Sequence, residues 1–226
     1  MRRAFIAANV RLDESFSIAA DWAAHALTVI APSTSAVEAE RWLENAGVPI
    51  GVSSRKHSRF TARPQGTVIA WCLSLKDLLE LECKRGVEEV VLVRGHDEHA
   101  PWITAHGVEC LAGSPVAAVP EASAAIKTMV EGVTTLAVQN QGLVDQRERA
   151  GVAEALTYFR QRGHTFDPAQ LVVEAIRQGW PGSDALEIAE LATSVNAGKQ
   201  LRFEQRFRPE VIAEWEQATA FEYETR

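Results

Sequence analysis

Val90-Val91-Leu92-Val93 runs directly into Arg94-Gly95-His96-Asp97-Glu98-His99. A short amphipathic stretch from Pro101 to His106 follows, then Gly107, then a second apolar run from Val108 to Leu111. Four consecutive apolar residues closed by a polar turn suit a strand covered on both faces, the kind a parallel sheet contains. The order is therefore strand, polar loop, helix, strand. In open α/β sheets, ligands bind beyond the carboxyl ends of the strands. The titratable cluster after Val93 sits at such an end.

The same unit recurs upstream. Leu27 to Ala31 is apolar, and Pro32-Ser33-Thr34-Ser35 follows it. Ser35 and Glu38 have capping-box spacing. The helix they open carries Ala39, Trp42, Leu43 and Ala46 on one face, and Gly47 is placed to end it. Val48 to Val52 is the next strand. Thr67 to Cys72 is another, Ser74 caps a helix bearing Leu75, Leu78, Leu79 and Cys83, and Gly86 closes it. Ala4 to Val10 reads as a further strand, and Phe16 to Ala26 as a helix. Strand–helix alternation of this kind predicts an α/β fold, a mainly parallel Rossmann-like sheet with helices on both faces.

After Leu111 the pattern changes. Gly113-Ser114-Pro115 and Pro120 mark a break, so residues 1–120 read as an α/β domain and 121–226 as a helical region packed on it. Val152, Leu156 and Phe159 lie on one helical stripe. Asp167-Pro168 starts a helix burying Leu171, Val172, Ala175 and Ile176. Trp180-Pro181-Gly182 ends it, and Ser183 caps a helix bearing Ile188, Leu191, Ala192 and Val195. Pro209 opens a last helix with Val211, Ile212 and Trp215 facing inward. The region is expected to hold at most one strand, at Leu201-Arg202-Phe203.

Composition sets the outer limits. The chain has 226 residues, 46% of them hydrophobic and 23% charged, enough for a proper core. Its formal charge is −7. An acidic chain is a poor general binder of nucleic acid. Residues 1–125 carry 12 basic and 15 acidic groups, and residues 126–226 carry 11 and 15, so neither half is basic. Cys72, Cys83 and Cys110 are odd in number and form no C-x-x-C pair, which points to a reducing compartment. Arg11, Asp13 and Glu14 interrupt the apolar start too early for a signal peptide, and no run is long enough to span a membrane. A cytoplasmic protein with no membrane partner is expected.

Four segments bear on chemistry. His96, Asp97 and His99 are the catalytic candidates, because imidazole beside carboxylate is the usual acid–base pair near neutral pH. Their spacing is not that of a metal-binding helix face, and no metal is assigned. Ser33, Thr34 and Ser35 offer hydroxyls and backbone N–H groups at a helix start, suited to a phosphate or carboxylate. Arg55, Lys56, Arg59 and Arg63 lie with His57 and Phe60 between two strands, with no acidic residue among them. Basic loops with an aromatic residue suit phosphate or nucleic acid.

The fourth segment is the pair of helices around Pro181-Gly182, which has a helix-turn-helix outline. Its second helix opens with Asp184, Glu187 and Glu190, which repel phosphate, so that helix is assigned to packing. Lys199, Arg202, Arg206 and Arg208 form a second basic cluster. Neither G-x-G-x-x-G nor a P-loop occurs, so no particular cofactor is implied.

The expectation is a cytosolic protein that binds a phosphate-bearing ligand, nucleotide or nucleic acid, at the carboxyl edge of its sheet. Arg55, Lys56 and Arg59 supply charge, Ser33, Thr34 and Ser35 supply donors, and hydrolysis is the reaction that His96, Asp97 and His99 suit. The competing expectation is a non-enzymatic interaction protein or homo-oligomer acting through Trp180, Phe203, Phe207 and Trp215 in its helical half.

Overall fold

The computed structural model describes residues 1–54, 59–138, 143 and 146–217, without the side chains of 59, 137 and 138. The chain divides into two units, Met1–Ala118 and Val119–Arg226. The first is an α/β unit. Its strands are β1 (Arg2–Ala7), β2 (Leu27–Ala31), β3 (Ile50–Ser54), β4 (Arg59–Phe60), β5 (Gly66–Trp71), β6 (Val87–Gly95) and β7 (Glu109–Ala112). They form one sheet in the order β4-β3-β2-β5-β6-β1-β7. Six strands are parallel, and the short β4 pairs antiparallel with β3 at one edge.

Strand order and handedness place the helices. From β1 to β2 and from β2 to β3 the chain moves one way along the sheet; from β5 to β6 and from β6 to β7 it moves the other way. Right-handed crossovers then put α1 (Leu12–Trp22), α2 (Thr34–Glu38) and α3 (Arg41–Glu44) on one face. They put α4 (Leu75–Glu82) and α5 (Ala100–His106) on the opposite face. On the first face Ile6, Val29, Ile69, Val91 and Val93 pack against Ala19, Val37 and Leu43. The central strands are apolar toward both faces, and Val68, Ile69, Val90, Val91 and Leu92 have no exposed surface.

Charged groups fasten the amino edge. Glu89 is buried in β6 and accepts from Arg2, Thr67 and the Ala24 backbone N–H. Burial pushes the Glu89 carboxyl up, but these donors outweigh it and hold the group below the usual carboxylate range. Glu82, at the end of α4, pairs with Arg3 of β1 at 2.6 Å and lies 3.6 Å from His106 of α5.

The expected helix from Ser35 to Ala46 is two short helices. Its cap is Ser33, whose hydroxyl accepts from the Ala36 N–H, and not Ser35. The backbone leaves helical geometry at Glu40, whose carboxylate accepts from the Trp42 indole at 2.7 Å. Trp42 then stacks edge-on against Phe16 and Trp71. Gly107 does end α5, in the left-handed conformation that closes a helix cheaply.

The second unit is helical: α6 (Ala124–Val133) running into a π-turn over Thr134–Val138, α7 (Gln146–Gln161), α8 (Pro168–Arg177), α9 (Asp184–Asn196) and α10 (Pro209–Gln217). It holds no strand among the described residues. Leu201-Arg202-Phe203 has no regular secondary structure. Asp167 caps α8 as its Asp-Pro start implies, accepting from Ala169 N–H at 2.8 Å. Asp184 and Glu187 of α9 are used inside the unit, on the Leu143 N–H and on Arg149. That fits the packing role assigned to this helix. Trp180, Phe207 and Trp215 are buried in this core, while Phe203 is half-buried.

Leu156 is fully buried on the α7 stripe. Leu156→Ala is expected to cost about 2–5 kcal/mol in urea unfolding of the helical unit. A loss well under ~1 kcal/mol would show that the stripe does not carry the core.

Candidate functional site at the carboxyl edge

The chain reverses its direction of travel at β3. The carboxyl ends of the neighbouring strands β2 and β5 therefore lead to helices on opposite faces, and a crevice opens between them. Ser33 leaves β2 on one side of it. Its hydroxyl caps α2 and lies 2.9 Å from the Ser35 hydroxyl. On the other side Ser74 caps α4, and Asp77 accepts from both Ser74 and Ser53, the latter at 2.9 Å from the end of β3.

The amino end of α4 is already filled by the protein's own acids. Glu98 accepts from the Leu75 N–H at 3.0 Å. A carboxylate in that place takes the position an external anion would use. The hydroxyls of Ser33, Thr34 and Ser35 lie on the β2 side, those of Ser33 and Ser35 bonded to each other.

A groove of about 450 Å3 runs along β3 there. Thr34 lines it from the start of α2, with Val37, Val48, Ile50, Val52 and Thr61, and the acid Glu44 lines it near the amino end of β3. Val52 and Thr61 are joined twice. The Val52 N–H donates to the Thr61 hydroxyl at 2.9 Å, and the Thr61 N–H donates to the Val52 carbonyl at 3.0 Å. These bonds fasten the two ends of the segment that contains the basic loop. Gly51 permits this close return, because a Cβ there would stand 2.7 Å from the Ala62 Cβ. The groove thus brings one member of the hydroxyl set, Thr34, to the flanks of the basic loop. Arg59 is in β4, paired with Ser54. Arg55 and Lys56 lie outside the described residues.

The His96 and His99 rings lie edge-on with centroids 4.5 Å apart, in different surroundings. His99 is 1% exposed. Its Nε2–H donates to the Leu73 carbonyl at 2.9 Å, and its Nδ1 accepts from the His96 N–H at 3.4 Å. The ring thus joins the β5–α4 turn to the β6–α5 turn and has no nitrogen left for a substrate. Burial pushes its pKa below the usual imidazole value. His96 is exposed, and its Nδ1 accepts from the Glu98 N–H. Asp97 is exposed beside it. No group of three metal-ligating side chains occurs among the described residues.

Two residues at this edge stand out that sequence reading passed over. Cys72 has φ 53° and Arg94 has φ 65°, left-handed values for residues with side chains, at the ends of the adjacent strands β5 and β6. Such a conformation costs roughly 1–2 kcal/mol. Arg94 is also a bulge: Ile6 pairs with Val93 and Ala7 with Gly95, which leaves Arg94 unpaired against β1. Its side chain is exposed and makes no ion pair among the described residues. Burial pushes the half-buried Cys72 thiol up to about 11, so it stays protonated near neutral pH.

A family model described as a domain of unknown function (DUF1889) matches residues 123–216, within the helical unit. No curated protein and no solved structure matches the chain.

Protonating His99 would set a second N–H against the His96 N–H. Its depressed pKa means that the unfolded chain takes up the proton first as pH falls below the ordinary 6.5. Stability in urea should therefore decline as pH falls below about 6.5, and His99→Asn should flatten that decline. An equal decline in the variant would contradict the structural role of His99.

Proposed function

We propose that the protein binds a phosphate-bearing ligand, a nucleotide or nucleic acid, on the β2–β3 side of the carboxyl edge. One observation carries the reading: the groove along β3 joins Thr34 to Val52 and Thr61, the two flanks of the basic loop. Ser33 and Ser35 supply hydroxyl donors, Arg55, Lys56 and Arg59 supply positive charge, and the apolar wall of Val37, Ile50 and Val52 takes the body of the ligand.

The reading is of binding. His99 is committed to two backbone groups and the Cys72 thiol is held protonated, so neither is an activated base or nucleophile. No helix among the described residues is long and apolar enough to cross a membrane. Cys72, Cys83 and Cys110 form no disulfide, which suits the reducing compartment we propose.

Charge reversal at Arg55, Lys56 and Arg59 tests the proposal by titration of ATP and of a short oligonucleotide. Binding should weaken, and its dependence on salt should flatten as fewer cations meet phosphate. Affinity equal to the parent's, or no binding by the parent, would refute it.

A further inference from the structure

The helical unit contains a cavity of its own, about 460 Å3 in volume. Gln146, Arg149, Ala150 and Ala153 form one wall, spaced along a single face of α7. The opposite wall is the irregular strap from Leu201 to Arg206, which contributes Arg202, Phe203 and Arg206. Four arginines (Arg147, Arg149, Arg202 and Arg206) meet one acid, Glu204, among the described lining residues of a chain whose net charge is −7. Arg149 is already paired with Glu187. Arg202 and Arg206 are exposed and make no ion pair among the described residues.

The strap is built, not loose. Glu154 of α7 is 6% exposed, and its Oε2 accepts from the Arg206 N–H at 2.6 Å and from the Phe207 N–H at 3.2 Å. Phe207 stacks edge-on against the Trp215 ring, with centroids 5.2 Å apart. Burying a carboxylate is costly. Here it fixes the backbone of Arg206, one of the two cations without an ion pair among the described residues, in the cavity wall. All the lining residues fall within 123–216, the span matched by the family model.

We propose that this cavity is an anion site for a nucleoside phosphate, separate from the groove along β3. Arg202 and Arg206 hold the phosphate, since guanidinium forks match phosphate oxygens in pairs. Phe203 and Leu201 take the base, because an aromatic face stacks on any base. The volume lies in the range of small-molecule sites.

The test uses the full chain with Arg55, Lys56 and Arg59 reversed in charge, so that the outcome is independent of the other site. AMP and inorganic phosphate are titrated by calorimetry. AMP is expected to bind more tightly than phosphate. Arg202→Ala and Arg206→Ala should each weaken AMP by roughly tenfold or more, the scale of a charge-assisted hydrogen bond. Phe203→Leu should weaken AMP and leave phosphate unchanged. Both arginines are exposed, so the variants should keep the parent's unfolding midpoint. AMP affinity unchanged by the arginine variants, AMP no tighter than phosphate, or no AMP binding would overturn the assignment.

Discussion

A parallel sheet has no wet face, and that constraint governs the first unit. Hairpins cannot join parallel strands, so each connection crosses a face and has to cover it. Right-handed crossovers cover only one face for each direction of travel. With β5, β6 and β2 apolar on both sides, the chain has to travel in both directions, and it reverses at β3. The crevice between β2 and β5 is the geometric result of that reversal. Its position is fixed by the burial of Ile30, Ile69 and Val91, not by any residue that would touch a ligand.

Within the crevice the protein's own polar groups decide which side stays open. Asp77 and Glu98 satisfy the start of α4, and His99 ties the turn after β5 to the turn after β6. These bonds rigidify the β5–β6 side and leave little there for a ligand. The β2–β3 side has hydroxyls, an apolar groove and a basic loop anchored at both flanks. Left-handed backbone at Cys72 and Arg94 adds strain at this same edge, where strained residues tend to gather in proteins with sites there.

Much of the fold was legible because the signals are local. Leu27–Ala31 is a strand over its whole expected length, and the glycine closing α5 does so by its backbone conformation. The other expected strands lie within a few residues of their places in the one sheet, and only the short β4 falls in a segment that reads as loop. The insertion of β1 between β6 and β7 was not legible, because strand order is set by pairings distant in sequence. Glu88 and Glu89 hid the first half of β6. Glu89 is tolerated in a buried strand only because Arg2 and Thr67 meet it there. The Ser35 helix was misread because Ser33 offers an equally good cap two residues earlier and Glu40 breaks the helix to reach Trp42. Nothing near His99 announces that its partner is a carbonyl 26 residues away. The left-handed turn at Arg94 has no signature short of glycine, and the residue beside it is the glycine.

Amide hydrogen exchange of the full chain, with and without saturating ATP, addresses the claim that the open side of the crevice is the ligand site. Slower exchange at residues 33–36 and 59–62, with the start of α4 unchanged, is the result this account predicts. ATP that binds but leaves 33–36 and 59–62 exchanging as in the free protein would contradict it.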